Sequence, residues 1–245
     1  MFKSKIKSET LKEIVDVVST LVDETKINIT KKGIGSKAVD PAHVAMVDIN
    51  VDKKAFEEFK ATETEIGVDI DKLRDVLKLS RPGDVITMEY DEDKNRLVTQ
   101  IDNITKRMAL VDTAGMSDPK VPNLTLPVKL TINVSELKQG IRAAESVSDH
   151  VALQATPEGF EMSSEGETDS FNLKVPKDLL TELECKESAK SLFSLDYFAN
   201  MIKSVGSSQT VTMYLGNDYP VNMEFDIAGG KGQVKYLLAP RIESD

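Results

Sequence analysis

Residues 112–127 read DTAGMSDPKVPNLTLP. Pro119, Pro122 and Pro127 fix φ and cannot donate to a sheet ladder; Gly115 and the small polar residues leave few apolar positions in any repeating pattern. That is connector chemistry. The segments on its two sides read as two copies of one unit. The stretch therefore divides the chain into an N-terminal domain, 1–111, a connecting loop, 112–127, and a C-terminal domain, 128–245.

The duplication shows as matches at a nearly constant displacement. Ile6 returns as Ile132, Leu11-Lys12 as Leu137-Lys138, and the turn glycine Gly33 as Gly159. Further on, Asp71 returns as Asp196, Lys78 as Lys203, and Thr87-Met88 as Thr212-Met213. Chance explains single matches, not a steady register.

Each copy has the same order. A short alternating strand comes first: residues 2–7 in one copy, and Val128, Leu130, Ile132 and Val134 in the other. A helix is next, with stripes Leu11, Ile14, Val15, Val18 and Leu137, Ile141, Ala144; Ser135 is an N-cap candidate. Strands come after it, marked by Ile27 and Ile29, by Val47, Ile49 and Val51, and by Phe171, Leu173 and Val175. A second helix starts near Asp71 and near Asp196, burying Leu73, Val76, Leu77 and Phe198, Met201, Ile202. Hairpins close each copy, turning at 91–95 and at 229–232. The expected class is α+β: each half has two helices side by side on a mainly antiparallel sheet, giving four helices in a row.

The 245 residues, 40% hydrophobic and 29% charged, support packed cores and exclude wholesale disorder. Cys185 is the only cysteine, so no internal disulfide forms, which suits a reducing compartment. No segment has the length and apolarity of a membrane span, and no signal-peptide run opens the chain. A soluble, cytoplasmic protein is expected. The net charge of −10 argues against simple nucleic-acid binding, so any basic surface is local.

One such surface is written on the helices. Arg74, Lys78 and Arg81 recur at i, i+4, i+7 on a helix expected over 71–81. Lys138 and Arg142 are spaced i, i+4, and Lys203 lies on the last helix. Lys12 is accompanied by Glu13 and Asp16. Two readings are open: solvated faces with intrahelical ion pairs, or a mildly basic strip that contacts phosphates without reading bases.

Catalytic constellations are missing. His43 and His150 have no second ligand type at metal spacing, and Cys185 has no histidine nearby in sequence. Gly33-Ile34-Gly35-Ser36-Lys37 lacks phosphate-loop spacing and reads as a turn between strands. The acidic runs at 91–93 and 165–167 read as solvated loop tips.

DPAHVAMVDI (40–49) and LAPRIESD (238–245), together with the duplication and the connector, resemble the sliding clamps of the proliferating cell nuclear antigen family, of archaeal type. The similarity spans the whole chain. It implies a closed homotrimer: six similar units in a ring, helices lining the hole, sheets outside. It implies sequence-independent, topological binding of duplex DNA, a nucleoid-associated location, and no cofactor. Short peptide motifs would tether DNA polymerase, clamp loader, flap endonuclease and DNA ligase. Carried over by position, Lys12, Lys78, Arg81, Lys138, Arg142 and Lys203 face DNA, and Arg74 joins them from its helical position. Glu13 and Ser19 stand where eukaryotic members tend to have lysines, which weakens the first helix's share.

The resemblance also implies a partner-peptide pocket of Val39, His43, Met46, Val121, Pro220, Ala239, Pro240 and Ile242. It implies a subunit interface pairing Thr105, Lys106, Arg107, Met108, Ala109, Leu110 and Val111 of one copy with Asp169, Ser170, Phe171, Asn172, Leu173, Lys174 and Val175 of the next. Such a head-to-tail contact closes when the rotation fits three subunits. The first alternative is a clamp-like interaction scaffold that does not encircle DNA, separable by retention on circular but not linear DNA. The second is an enzyme using the acidic loops, which metal-dependent turnover sensitive to Glu165 or Asp169 would reveal.

Overall fold

The computed structural model describes residues 1–116, 118–206 and 209–241. They form two compact units, Met1–Val121 with Asp226–Val234, and Pro122–Phe225 with Lys235–Asp245. This division differs from the sequence boundaries in two places. The connecting stretch is shared between the units, and the turn of the last hairpin belongs to the first.

The first unit runs β1 (Phe2–Lys7), α1 (Ser8–Val18), β2 (Glu24–Thr30), β3 (Gly33–Val39), β4 (Ala45–Asp52), β5 (Glu58–Ala61), β6 (Thr64–Asp69), α2 (Ile70–Leu77), β7 (Val85–Asp91), β8 (Arg96–Ile101) and β9 (Ile104–Ala109). The second repeats the order as β10 (Val128–Asn133), α3 (Val134–Ala144), β11 (His150–Thr156), β12 (Gly159–Glu165), β13 (Ser170–Pro176), β14 (Glu182–Cys185), β15 (Ala189–Ser194), α4 (Leu195–Lys203), β16 (Thr210–Leu215), β17 (Val221–Ile227) and β18 (Gly232–Leu238).

Each unit has two runs of strands where the sequence suggested one sheet. In the first unit the neighbours are β5-β1-β7-β8-β9 and β4-β3-β2-β6; in the second, β14-β10-β16-β17-β18 and β13-β12-β11-β15. The helices pair as expected, α1 beside α2 and α3 beside α4. Their stripes are buried: Leu11, Ile14, Val15 and Val18 on α1, and Leu137, Ile141 and Ala144 on α3.

The duplication extends to the backbone. Gly33 and Gly159 open β3 and β12 with φ of 151° and 154°. A Cβ on either would meet a main-chain oxygen, Val51 O at 2.0 Å or Val175 O at 2.3 Å. Only glycine fits such an approach. The four helix starts are matched too. Ser8 N donates to Asp84 O and Val134 N to Gln209 O; Ile70 N donates to Asp23 O and Leu195 N to Asp149 O, at 2.8–3.0 Å.

Three local expectations are corrected. Helix α2 ends at Leu77 with Lys78 as C-cap, so Arg81 is off the helix. Pro82 disfavours helical backbone at Arg81, and the Ser80 hydroxyl donates to Leu77 O at 2.7 Å, closing the last turn. Asn133, not Ser135, is the N-cap of α3, because Val134 N already has Gln209 O. Residues 33–37 lie inside β3; the turn is Lys31-Lys32.

Asp69 caps α2 with its side chain, accepting from Lys72 N at 3.1 Å and pairing with Lys72 Nζ at 3.0 Å. The Lys72 backbone bond, then its ammonium, holds this carboxyl below the usual aspartate range. Asp69→Ala should therefore cost about 1 kcal/mol in urea unfolding at neutral pH. The folded pKa is depressed, so the contribution is complete above about pH 4 and is lost as pH falls through the folded value. The wild-type advantage should shrink in the same assay at pH 3.

Candidate nucleic-acid and partner interfaces

Asp40 organises the loop between β3 and β4. Its buried carboxylate accepts from Ala42 N at 3.0 Å, Val44 N at 2.8 Å and Ala45 N at 2.7 Å. Asp40 N donates to Ala45 O, and His43 N to Asp40 O, both at 3.0 Å. These bonds hold exposed His43 at φ 58°, a left-handed conformation that few side chains adopt unaided.

Beside the loop lies a groove of about 310 Å³, lined by Val22, Thr25, Val39, His43, Met116 and Pro119 among others. Met46, the cross-strand partner of Val39, is buried and is not among the groove's lining residues. The segment after β9 is tied across this face. Gly67 lets the chain cross β6, because a Cβ there would sit 2.3 Å from Val111 O. Thr113 Oγ1 donates to Glu65 at 3.1 Å, and Lys26 pairs with Asp118 at 3.2 Å. Of the other residues expected in the pocket, Val121 is half-buried, as are Pro220, Ala239 and Pro240 in the second unit. Arg241 N donates to Leu192 O at 2.7 Å, so the chain there already runs beside β15. Ile242 lies outside the described residues.

The helical cations are not bare. Lys12 pairs with Asp16, Arg74 with Asp71 at 3.1 Å, and Lys78 with Asp75 at 2.9 Å. The Lys78 ammonium, by hydrogen bond and charge, keeps the Asp75 carboxyl below its ordinary range. Lys203 lies 3.9 Å from Glu145. Lys138 Nζ donates to Val205 O at 2.7 Å; burial, then the Arg142 charge, lowers its pKa from the ordinary lysine value. Arg81 and Arg142 are exposed, and among the described residues neither makes an ion pair. Exposed pairs of this kind are worth about 0–1 kcal/mol, so a phosphate can displace the carboxylate.

Six strands end sheets, β9 and β13 among them. Among the described residues β9 pairs with β8 alone, and β13 with β12 alone. Leu110 and Val111 are engaged beyond that edge: Leu110 N donates to Asn95 O at 3.3 Å and Val111 N to Gly67 O at 2.8 Å. Among the described residues no group of three or more His, Cys, Asp or Glu is placed to hold a metal, and no helix is long and apolar enough to cross a membrane. Cys185 Sγ donates to Glu187 O at 3.3 Å, and burial raises its pKa.

The family model for the proliferating cell nuclear antigen N-terminal domain matches residues 1–116, and that for the C-terminal domain matches 120–241. The chain belongs to the proliferating cell nuclear antigen family. It is 43% identical to a protein named DNA polymerase sliding clamp from Methanocella arvoryzae, and 40% identical to one so named from Methanosarcina mazei, over the full length of each chain. Among solved structures, A. fulgidus PCNA bound to the C-terminal region of FEN-1 superimposes with a TM-score of 0.94 at 36% identity, covering all of both chains. PCNA from Thermococcus kodakaraensis gives 0.92 at 26% identity, covering 98% of this chain and all of that one.

On this antigen fold, the first unit lines one groove with Val39 and His43 and pairs Met46 with Val39 across the strands. It also carries residues that pattern reading passed over. Asp40 is visible in sequence only as an Asp-Pro pair, and the Lys26–Asp118 tether joins residues far apart in the chain. Asp40→Ala would orphan three N–H groups, at about 1–3 kcal/mol. Hydrogen exchange should quicken at the Ala42, Val44 and Ala45 amides while the α2 amides keep their protection.

Proposed function

We propose that this chain is a DNA sliding clamp, a processivity factor that closes as a homotrimeric ring around duplex DNA. The observation that carries the reading is a long sheet-end strand in each of two like units, β9 in the first and β13 in the second; of the other ends, β5 and β14 have four residues each, and β6 and β15 are bridged by Val111 and Arg241. Joining unlike edges head to tail satisfies both and generates a ring when the rotation closes. Thr105–Ala109 and Asp169–Val175 are the contact segments in this reading. Helices α1–α4 face the duplex. Arg81 and Arg142 supply the cations least committed to carboxylates, and Lys12, Arg74, Lys78 and Lys203 exchange partners as DNA passes. Lys138 contributes mainly to tethering α3, through Val205.

Binding is topological, so affinity for phosphates can stay weak while dissociation requires ring opening. A polymerase held there remains near the primer end at high effective concentration. The chain acts as a binding protein, and the ATP chemistry of opening belongs to a loader. Its working place is the nucleoid, in the cytoplasm. The groove beside His43 accepts a short peptide with aliphatic and aromatic anchors, the means by which polymerase, loader, flap endonuclease and ligase are recruited. The FEN-1 complex of a relative 36% identical supports that assignment.

After loading, the protein should remain on nicked circular plasmid and leave when the plasmid is linearised, as monitored by gel filtration. Equal loss from both would overturn the reading. Phe171→Asp should convert the trimer to monomers in sedimentation at micromolar concentration. Arg81→Glu with Arg142→Glu should leave the trimer intact and reduce loaded protein severalfold.

A further inference from the structure

Five lysines converge on the first unit from three separate segments. Lys31-Lys32 form the β2–β3 turn, Lys53-Lys54 come directly after β4, and Lys231 is in the turn before β18. Backbone bonds staple the segments together: Lys53 N donates to Lys32 O, and Asp52 N to Lys231 O, both at 2.8 Å. All five side chains are exposed, and among the described residues none has an ion-pair partner. This contrasts with the helical cations, most of which are already paired.

The cluster rims a trough. Asn28, Gly35 and Asn50 stand in register across β2, β3 and β4, on the face opposite the core-facing Ile29, Ile34 and Val51. Gly33 and Gly35 leave the middle strand without side chains there, so backbone forms the floor. The trough measures about 720 Å³, with Lys32, Lys54 and Lys231 at one end. Nearby carboxylates are turned to other donors: Asp52 accepts from Lys54 N at 2.8 Å, and Asp118 pairs with Lys26.

The position is fixed relative to α1. Ala228 N donates to Glu13 Oε2 at 2.7 Å. Ala228 takes a left-handed φ of 54°, unusual for a residue with a Cβ, while Gly229 and Gly230 adopt positive φ at no such cost. Glu13, which weakens α1 as a DNA-facing helix, here carries the lysine-bearing turn.

We propose that this rim is a second, sequence-independent contact for the phosphates of duplex DNA, beyond the helix faces. Lysines are flexible point charges suited to phosphate oxygens that move past. The trough has no aromatic side chain, so it offers neither a stacking platform for bases nor the anchor typical of a protein hot spot. Strand β3 separates the rim from the His43 groove by about 20 Å, so both can be occupied at once.

The proposal relies on the clamp reading only for the presence of DNA, and the contact itself is measurable without loading. Binding of a fluorescent 30-base-pair linear duplex is titrated at several salt concentrations for wild type and for Lys32→Gln, Lys54→Gln, Lys231→Gln combined. Each phosphate contact contributes about −0.9 to the log–log salt slope, so the variant's slope should be shallower by about 2 to 3. Its melting temperature and its retention on nicked circles should match wild type. An unchanged slope would overturn the proposal. So would unchanged DNA binding with lost binding of poly-glutamate, which would mark the rim as an acidic-protein site. Failure of wild type to distinguish circles from linear DNA would sink the clamp reading and leave the slope result standing.

Discussion

Among the described residues, each of the four α-helices begins on a main-chain carbonyl contributed by a segment distant in sequence. The first N–H groups of a helix have no partner inside it and are costly to bury unpaired. Side-chain capping answers this for α2, through Asp69; α1, α3 and α4 have no side-chain cap bond. The bonds from Ser8, Ile70, Val134 and Leu195 to Asp84, Asp23, Gln209 and Asp149 anchor each helix start to the other half of its unit. In both units the first helix is held by the turn leading from the second helix into its next strand, and the second by the turn after the first. The arrangement is reciprocal, so neither helix can shift alone. That fixes which side chains the helix pair turns away from the core.

The same accounting, applied to strands, leaves β9 and β13 with one side of each ladder unanswered inside its unit. A protein that kept such edges exposed would risk uncontrolled pairing. In the proposed ring, association between the unlike edges removes the liability and closes the assembly in one step. The residues just past β9 already hold a partner, Val111 on Gly67, which stops that edge from extending into the connecting segment. Its length is therefore set locally by a glycine that permits close approach.

Much of this was legible in the chain. Alternation marked β1, β4 and β13, the 3–4 spacing marked all four helix stripes, and the steady displacement announced two equal units. The prolines and glycine of 112–127 marked a connector. What escaped were facts about pairs of distant residues. The end of α2 depends on Pro82 acting on Arg81, which a charge stripe at i, i+4, i+7 does not register. The start of α3 depends on Gln209 O, five strands and a helix away in sequence. The cationic strip was visible, with local ion pairing as one of its two readings, but not the longer-range contacts: Lys203–Glu145 spans two helices and Lys138 reaches a carbonyl beyond α4. Asp40 looked like one acid among many until its three N–H donors were seen.

The distribution of paired and unpaired cations bears on how a ring can hold DNA and still slide. Two unit charges 4 Å apart attract by about 1 kcal/mol in water. A cation already beside a carboxylate loses part of that attraction when it turns to a phosphate, so each transfer is nearly balanced. In the proposed clamp, helical lysines and arginines paired in this way make a surface along which phosphates exchange with little barrier. Topology, not affinity, then does the retaining. The unpaired lysines at 31–32, 53–54 and 231 have no carboxylate to give up, so their contacts are firmer and more sensitive to salt. Confined to one small rim of an acidic chain, they can bias the tilt of the duplex without arresting its passage. Spread over all the helices, the same charges would make a tight nonspecific binder and a poor slide.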